Sequence, residues 1–185
     1  MKKLIIQGGN CLEGEVIISG SKNSALPIIA ASLLSKDKVT LTNCPEIDDL
    51  DHLFAILRSL GVIVNREKDV VTIDATSVKD IDITHEAVSK FRASYYLMGV
   101  YLSLFHKVHI RMPGGCDLGD RPFDLHLKAF KRLNCQTVVT DDFIEVSTLR
   151  LLPEKIFFEI PSVGATINTM LASVFIDGKT TIENA

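Results

Sequence analysis

An internal repeat constrains this chain more than any single residue does. An apolar helix-length run, a turn and a strand-like run occur three times, as IAASLLSKDKVTLTNCP, GVYLSLFHKVHIRMPGG and MLASVFIDGKTTIENA. With Lys38, Lys107 and Lys179 taken as equivalent, the copies stand 69 and 72 residues apart. Between copies, LRSLGVIVNREKDVVTID resembles FKRLNCQTVVTDDFIEVS. Each unit therefore reads as helix, strand, helix, strand, strand, and the class is α/β. Repeats of this size bury their apolar faces on one another. Two units are whole, and the third stops halfway, at Ala185. A half-built unit leaves a helix face and a sheet edge uncovered. Residues 22–185 thus read as an incomplete domain, truncated in the third unit, with a dimer that covers the gap as the alternative. Residues 1–21 stand apart as a strand pair, Lys3 to Gln7 and Glu15 to Ser19.

Within the units, apolar spacing predicts the helices. Leu26, Ile29, Ala30 and Leu33 fall at i, i+3, i+4 and i+7, one face of a helix. Leu53, Ile56, Leu57 and Leu60 mark a second helix. Phe123, Leu127, Phe130 and Leu133 mark another, and Ile167, Met170, Leu171 and Val174 a last one. Val39 to Thr42 and Val108 to Met112 are strand-like. Tyr95 to Phe105 is the longest apolar stretch and is too short to span a bilayer. The start, Met-Lys-Lys-Leu-Ile-Ile-Gln-Gly-Gly, loses its apolar run after three residues and does not read as an export signal.

A formal charge of -3 gives no whole-chain attraction to nucleic acid or anionic lipid, so an anionic ligand must be held by local cations. Cys11, Cys44, Cys116 and Cys135 show neither paired spacing nor a metal-ligand pattern with the histidines. They read as free thiols of a cytoplasmic protein, with no metal and no cofactor.

Three helix entries are candidate anion sites. Ser21, Lys22, Asn23 and Ser24 precede the first helix, with Pro27 in its first turn. Free N–H groups beside a lysine suit a phosphate or carboxylate, and a plain cap with a solvated lysine is the bland alternative. The second entry is a Gly-rich loop from Met112 to His126. It carries Cys116, with Arg121 and Pro122 opening the next helix, and nearby positive charge favours the thiolate. The third is Pro161 to Thr166, where Gly164 permits close backbone approach and a simple cap is again the alternative. Arg92, in an apolar helix, needs a polar partner or a cleft, unless it snorkels to the surface. Residue types alone thus point to a protein that binds an anionic small molecule.

The segments GSKNSALP, FRAS, PGGCDLGDRPFDLH and PSVGAT followed by TIENA, in that order, resemble the UDP-N-acetylglucosamine enolpyruvyl transferases. The resemblance implies two inside-out α/β barrels with the active site between them. Residues 1–21 would then belong to a second domain, whose remainder is not in this sequence. It implies transfer of the enolpyruvyl group of phosphoenolpyruvate to the 3'-hydroxyl of UDP-N-acetylglucosamine, the committed step of peptidoglycan synthesis, with phosphate released. By the same resemblance Lys22 and Asn23 contact phosphoenolpyruvate and the reacting hydroxyl. Cys116 is the general acid and the target of fosfomycin. Arg121 binds the phosphate or carboxylate. Arg92, Arg121, Pro122, Phe123, Asp124, Leu125, Ser162, Val163 and Gly164 line the nucleotide-sugar pocket, and His126 supports the loop. A non-catalytic fragment that binds UDP-sugar, or an enolpyruvyl transferase acting on another nucleotide, are the alternatives.

Overall fold

A computed structural model describes residues 3–35, 37–114 and 123–185. Its elements follow the repeat. The first unit runs α1 (Lys22–Ala31), β1 (Val39–Leu41), α2 (Asp48–Ser59), β2 (Ile63–Glu67) and β3 (Val70–Asp74). The second runs α3 (Tyr96–Phe105), β4 (Lys107–Arg111), α4 (Asp124–Arg132), β5 (Gln136–Val139) and β6 (Phe143–Ser147). A short strand, β7 (Lys155–Phe157), precedes α5 (Val163–Ser173) and β8 (Thr181–Glu183).

The two whole units build the same antiparallel sheet, ordered β1-β3-β2 in one and β4-β6-β5 in the other. Their resemblance extends to backbone stereochemistry. Gly61 and Asn134, aligned by the repeat, follow α2 and α4 and both have positive φ, 89° and 72°. Glycine and asparagine tolerate that left-handed helix ending. A feature absent from the periodicity is a parallel strand at the sheet edge. Ile83 bridges Ile110 in the second unit as β7 pairs with β8 in the third. No closed barrel forms among the described residues.

Two expectations are corrected. Residues 3–20 form no strand, and Leu4 (86 %) and Ile17 (98 %) are almost fully exposed. An isolated extended segment has no ladder to join, so a short apolar run does not by itself make a strand. In α5 the apolar stripe is only partly the buried face. Ala165, Asn168, Thr169, Leu171 and Ala172 are buried, whereas Met170 and Val174 are 57 % and 54 % exposed. Their repeat equivalents in α3, Met98 and Leu102, are fully covered. Met170 and Val174 instead line an apolar groove of about 620 Å³ with Ile28, Ala31 and Leu34 of the first unit.

Because Met170 is so open, Met170→Lys should change stability by no more than ~0.5 kcal/mol. It should also lower self-association, since an exposed apolar patch favours association. Sedimentation velocity and thermal melting would check the two effects together.

Candidate functional site

At the first predicted site the helix begins about one turn earlier than the sequence suggests. Lys22 and Asn23 are the first residues of α1 itself, not its approach, and Ser21 is an N-cap without a side-chain hydrogen bond. Pro27 lies inside the helix, beyond the first turn. There its missing N–H removes the usual helical bond to the Asn23 carbonyl. Lys22 Nζ sits 2.7 Å from Asp49 in the first turn of α2, and both side chains are partly exposed. An open pair of this kind contributes little stability, ~0–1 kcal/mol, so an anion can compete for the lysine at small cost.

The second and third sites are drawn toward one another by α3, α4 and α5. A 3₁₀ turn, Arg92–Tyr95, leads directly into α3. The Arg92 guanidinium lies 4.5 Å from the centre of the Phe123 ring, a cation–π contact that places the arginine at the entry to α4. The rings of Tyr95 and His126 are 4.6 Å apart, and Phe123 lies 6.2 Å from Tyr95 and 6.0 Å from His126. Gly164 brings α5 against the same cluster, since a Cβ there would stand 2.5 Å from the Tyr95 hydroxyl oxygen. Arg92, Phe123, His126 and Gly164, scattered over 73 positions of sequence, thus form one cluster.

Other predicted residues fall outside it. Ser162 caps α5, accepting from the Ala165 N–H at 3.3 Å, the bland reading of its position. Val163 and Asp124 are exposed, and Leu125 packs beside Ile156 and Phe158 on the β7 side of α4. Cys116, Arg121 and Pro122 lie outside the described residues. Of the other thiols, Cys11 is exposed and Cys44 and Cys135 are buried. Burial pushes the Cys135 thiol up to about 12, so it is inert as a nucleophile.

His126 is buried, and desolvation, with the nearby Arg92 charge second, lowers its pKa to about 4. A buried imidazolium facing a guanidinium is disfavoured by both effects, so the ring is neutral at ordinary pH. What supports this ring was missed by sequence reasoning. Asn168 is fully buried in α5. Its side chain accepts from the Gly99 N–H at 2.8 Å, donates to the Tyr95 carbonyl at 3.0 Å and meets His126 Nδ1 at 3.1 Å. The available signal was a lone amide in the apolar run of α5, together with a glycine in the middle of α3. Buried amides are retained where all their bonds are met.

The family model described as EPSP synthase (3-phosphoshikimate 1-carboxyvinyltransferase) matches residues 6–185. The chain belongs to this family. It is 43 % identical over its whole length to the UDP-N-acetylglucosamine 1-carboxyvinyltransferase of Halothermothrix orenii, of which it covers 45 %. It is 44 % identical to UDP-N-acetylglucosamine 1-carboxyvinyltransferase 2 of Bacillus subtilis, covering 43 % of that protein. The chain therefore spans a little under half the length of these relatives. Among solved structures, the enolpyruvyl transferase NikO of Streptomyces tendae superposes with a TM-score of 0.79 at 23 % identity. That match covers 95 % of this chain and 41 % of the other. The EPSP synthase of Acinetobacter baumannii superposes at 0.71 with 16 % identity, over 91 % of this chain and 40 % of that one. At such identities these two likenesses establish the fold of the family and nothing finer.

Proposed function

We propose that this chain contributes one wall of an active site that transfers the enolpyruvyl group of phosphoenolpyruvate to the 3'-hydroxyl of UDP-N-acetylglucosamine. The observation that carries the reading is the convergence of Arg92, Phe123, His126 and Gly164 on one cluster. It is supported by identity above 40 % to proteins named for that reaction.

In this reading the sugar hydroxyl adds to C2 of phosphoenolpyruvate and gives up its proton, while Cys116 protonates C3, which becomes a methyl group. Charge that develops at C2 requires an acid placed in advance. Loss of a proton from that methyl and cleavage of the C2–O bond then restore the vinyl group and expel phosphate. Lys22 contacts phosphoenolpyruvate and Arg121 holds its phosphate or carboxylate, and fixed cations stabilise such charge without reorganising. Asn23 contacts the reacting hydroxyl. Arg92, Arg121, Pro122, Phe123, Asp124, Leu125, Ser162, Val163 and Gly164 line the nucleotide-sugar pocket. Residues 1–21 pair with a second domain, and residues 22–185 form an incomplete first one. The setting is cytoplasmic peptidoglycan synthesis. Among the described residues no helix is long and apolar enough to cross a membrane.

A second reading, binding of the UDP-sugar without turnover, is favoured for the isolated chain because it spans only 45 % of such a relative. Phosphate release separates the two. A protein of the relatives' full length should release phosphate from phosphoenolpyruvate only when UDP-N-acetylglucosamine is present. Fosfomycin should label it at Cys116, and Cys116→Ser should abolish that label. Nucleotide-sugar binding without phosphate release would leave the binding reading standing. Labelling that persists in Cys116→Ser would remove Cys116 from the mechanism.

A further inference from the structure

We propose that Asn168 is a positioning residue for this cluster, acting by holding His126 in a single neutral tautomer with its proton on Nε2. The inference follows from hydrogen-bond accounting. Gly99 N–H and Tyr95 C=O are an i, i−4 pair, the two groups that an uninterrupted helix would bond to one another. The Asn168 amide bridges them where the 3₁₀ turn passes into α3, its oxygen on the Gly99 N–H and its nitrogen on the Tyr95 carbonyl. Reversing the amide would set oxygen against oxygen and N–H against N–H, so its orientation is fixed by partners that cannot exchange roles. One N–H of Asn168 remains, and it points at His126 Nδ1, 3.1 Å away. Nδ1 must therefore be an acceptor, which leaves the ring proton on Nε2.

The consequence reaches Arg92. His126 packs against Tyr95 and Phe123, and Phe123 carries the Arg92 guanidinium. A neutral ring in a fixed orientation keeps a second positive charge away from Arg92 and sets the aromatic face on which it rests. The Asn168 side chain meets His126, the residue expected to support the loop. Its reach to the ligand rests on the proposed nucleotide-sugar reading, whereas the tautomer does not.

Nitrogen-15 NMR of histidine-labelled protein tests the tautomer directly. The wild type should show His126 protonated at Nε2 alone from pH 8 to pH 5. Asn168→Asp places an acceptor opposite Nδ1 and should move the proton to Nδ1 or give the imidazolium. A wild-type ring protonated at Nδ1, or an unchanged ring in Asn168→Asp, would overturn the proposal. Calorimetry on the full-length enzyme then reads position. Asn168→Asp should weaken UDP-N-acetylglucosamine about tenfold at pH 8, the scale of one buried hydrogen bond misplaced, and the loss should change with pH as the new pair titrates. If Asn168→Asp does not fold, Asn168→Ser, which removes the amide without adding charge, should show mixed tautomers and a similar loss. Equal affinity in wild type and a variant whose tautomer has changed would refute the positioning role. A wild type that binds no nucleotide sugar would instead remove the functional reading and leave the tautomer result to stand by itself.

Discussion

Gly99→Ala should lower the melting temperature by roughly 5–10 °C, although alanine is the better helix former by about 1 kcal/mol. Gly99 lies in the middle of α3, where its neighbours Leu97, Met98, Val100 and Tyr101 are all buried. A Cβ at this position would collide with the backbone carbonyl of Asn168 and stand 2.5 Å from its side-chain oxygen. The carbonyl belongs to α5 and cannot swing aside as a side-chain tip would. The helices must separate, which also stretches the bond from Gly99 N–H to Asn168. Overpacking of this kind costs about 1–3 kcal/mol, and a weakened buried hydrogen bond adds about 1 kcal/mol. Thermal melting of the variant beside the wild type measures the combined loss. If Gly99→Ala melts at or above the wild-type temperature, α3 and α5 do not meet as closely as described.

The second large effect is one of pH. His126 has its ordinary pKa near 6.5 when unfolded and about 4 in the folded chain, through desolvation first and the Arg92 charge second. Between those values the unfolded state binds a proton that the folded state refuses. Stability must then fall as the pH is lowered through this window, by about 1.4 kcal/mol per unit and about 3 kcal/mol in all. Below pH 4 the term stops growing, because both states are protonated. Exposed carboxylates held low by hydrogen bonds, such as Asp74 and Glu86, act below their ordinary range and are separable from it. Urea unfolding at half-unit steps from pH 7.5 to 4 measures the slope. His126→Asn, which cannot titrate, should lack this component, and an equal slope in that variant would assign the loss to other groups.

Sequence reasoning succeeded where each residue answers to its near neighbours. Apolar stripes at helical spacing placed α1, α2 and α4, and the repeat placed α3, whose residues Tyr96 to Ser103 are all buried. Leu53, Ile56 and Leu57 of α2, and Leu60 directly after it, are buried as their spacing requires. Gly61 and Asn134 end equivalent helices for a reason also visible in one dimension, their tolerance of positive φ. The same logic failed in α5. Ile167, Met170, Leu171 and Val174 are its apolar stripe, yet Asn168 and Thr169 are among its buried residues. A stripe marks an inner face only when the most apolar neighbours lie on that side, and here an amide is bonded inward.

At the site the division is similar. Arg92 and the Phe123 to His126 stretch stand out in the sequence by residue type, as does Gly164 by its lack of a side chain. Their meeting does not, because it depends on three helices crossing. Sequence alone determined the α/β class, the repeat, most helices and the short set of chemically unusual residues, since all of these follow from local spacing and intrinsic preference. Only the tertiary structure decided that Asn168 bonds to groups 69, 73 and 42 positions away, and that burial beside Arg92 keeps His126 neutral. Hydrogen-bond partners of a buried amide are chosen by the packing of whole helices, and no local pattern encodes that choice.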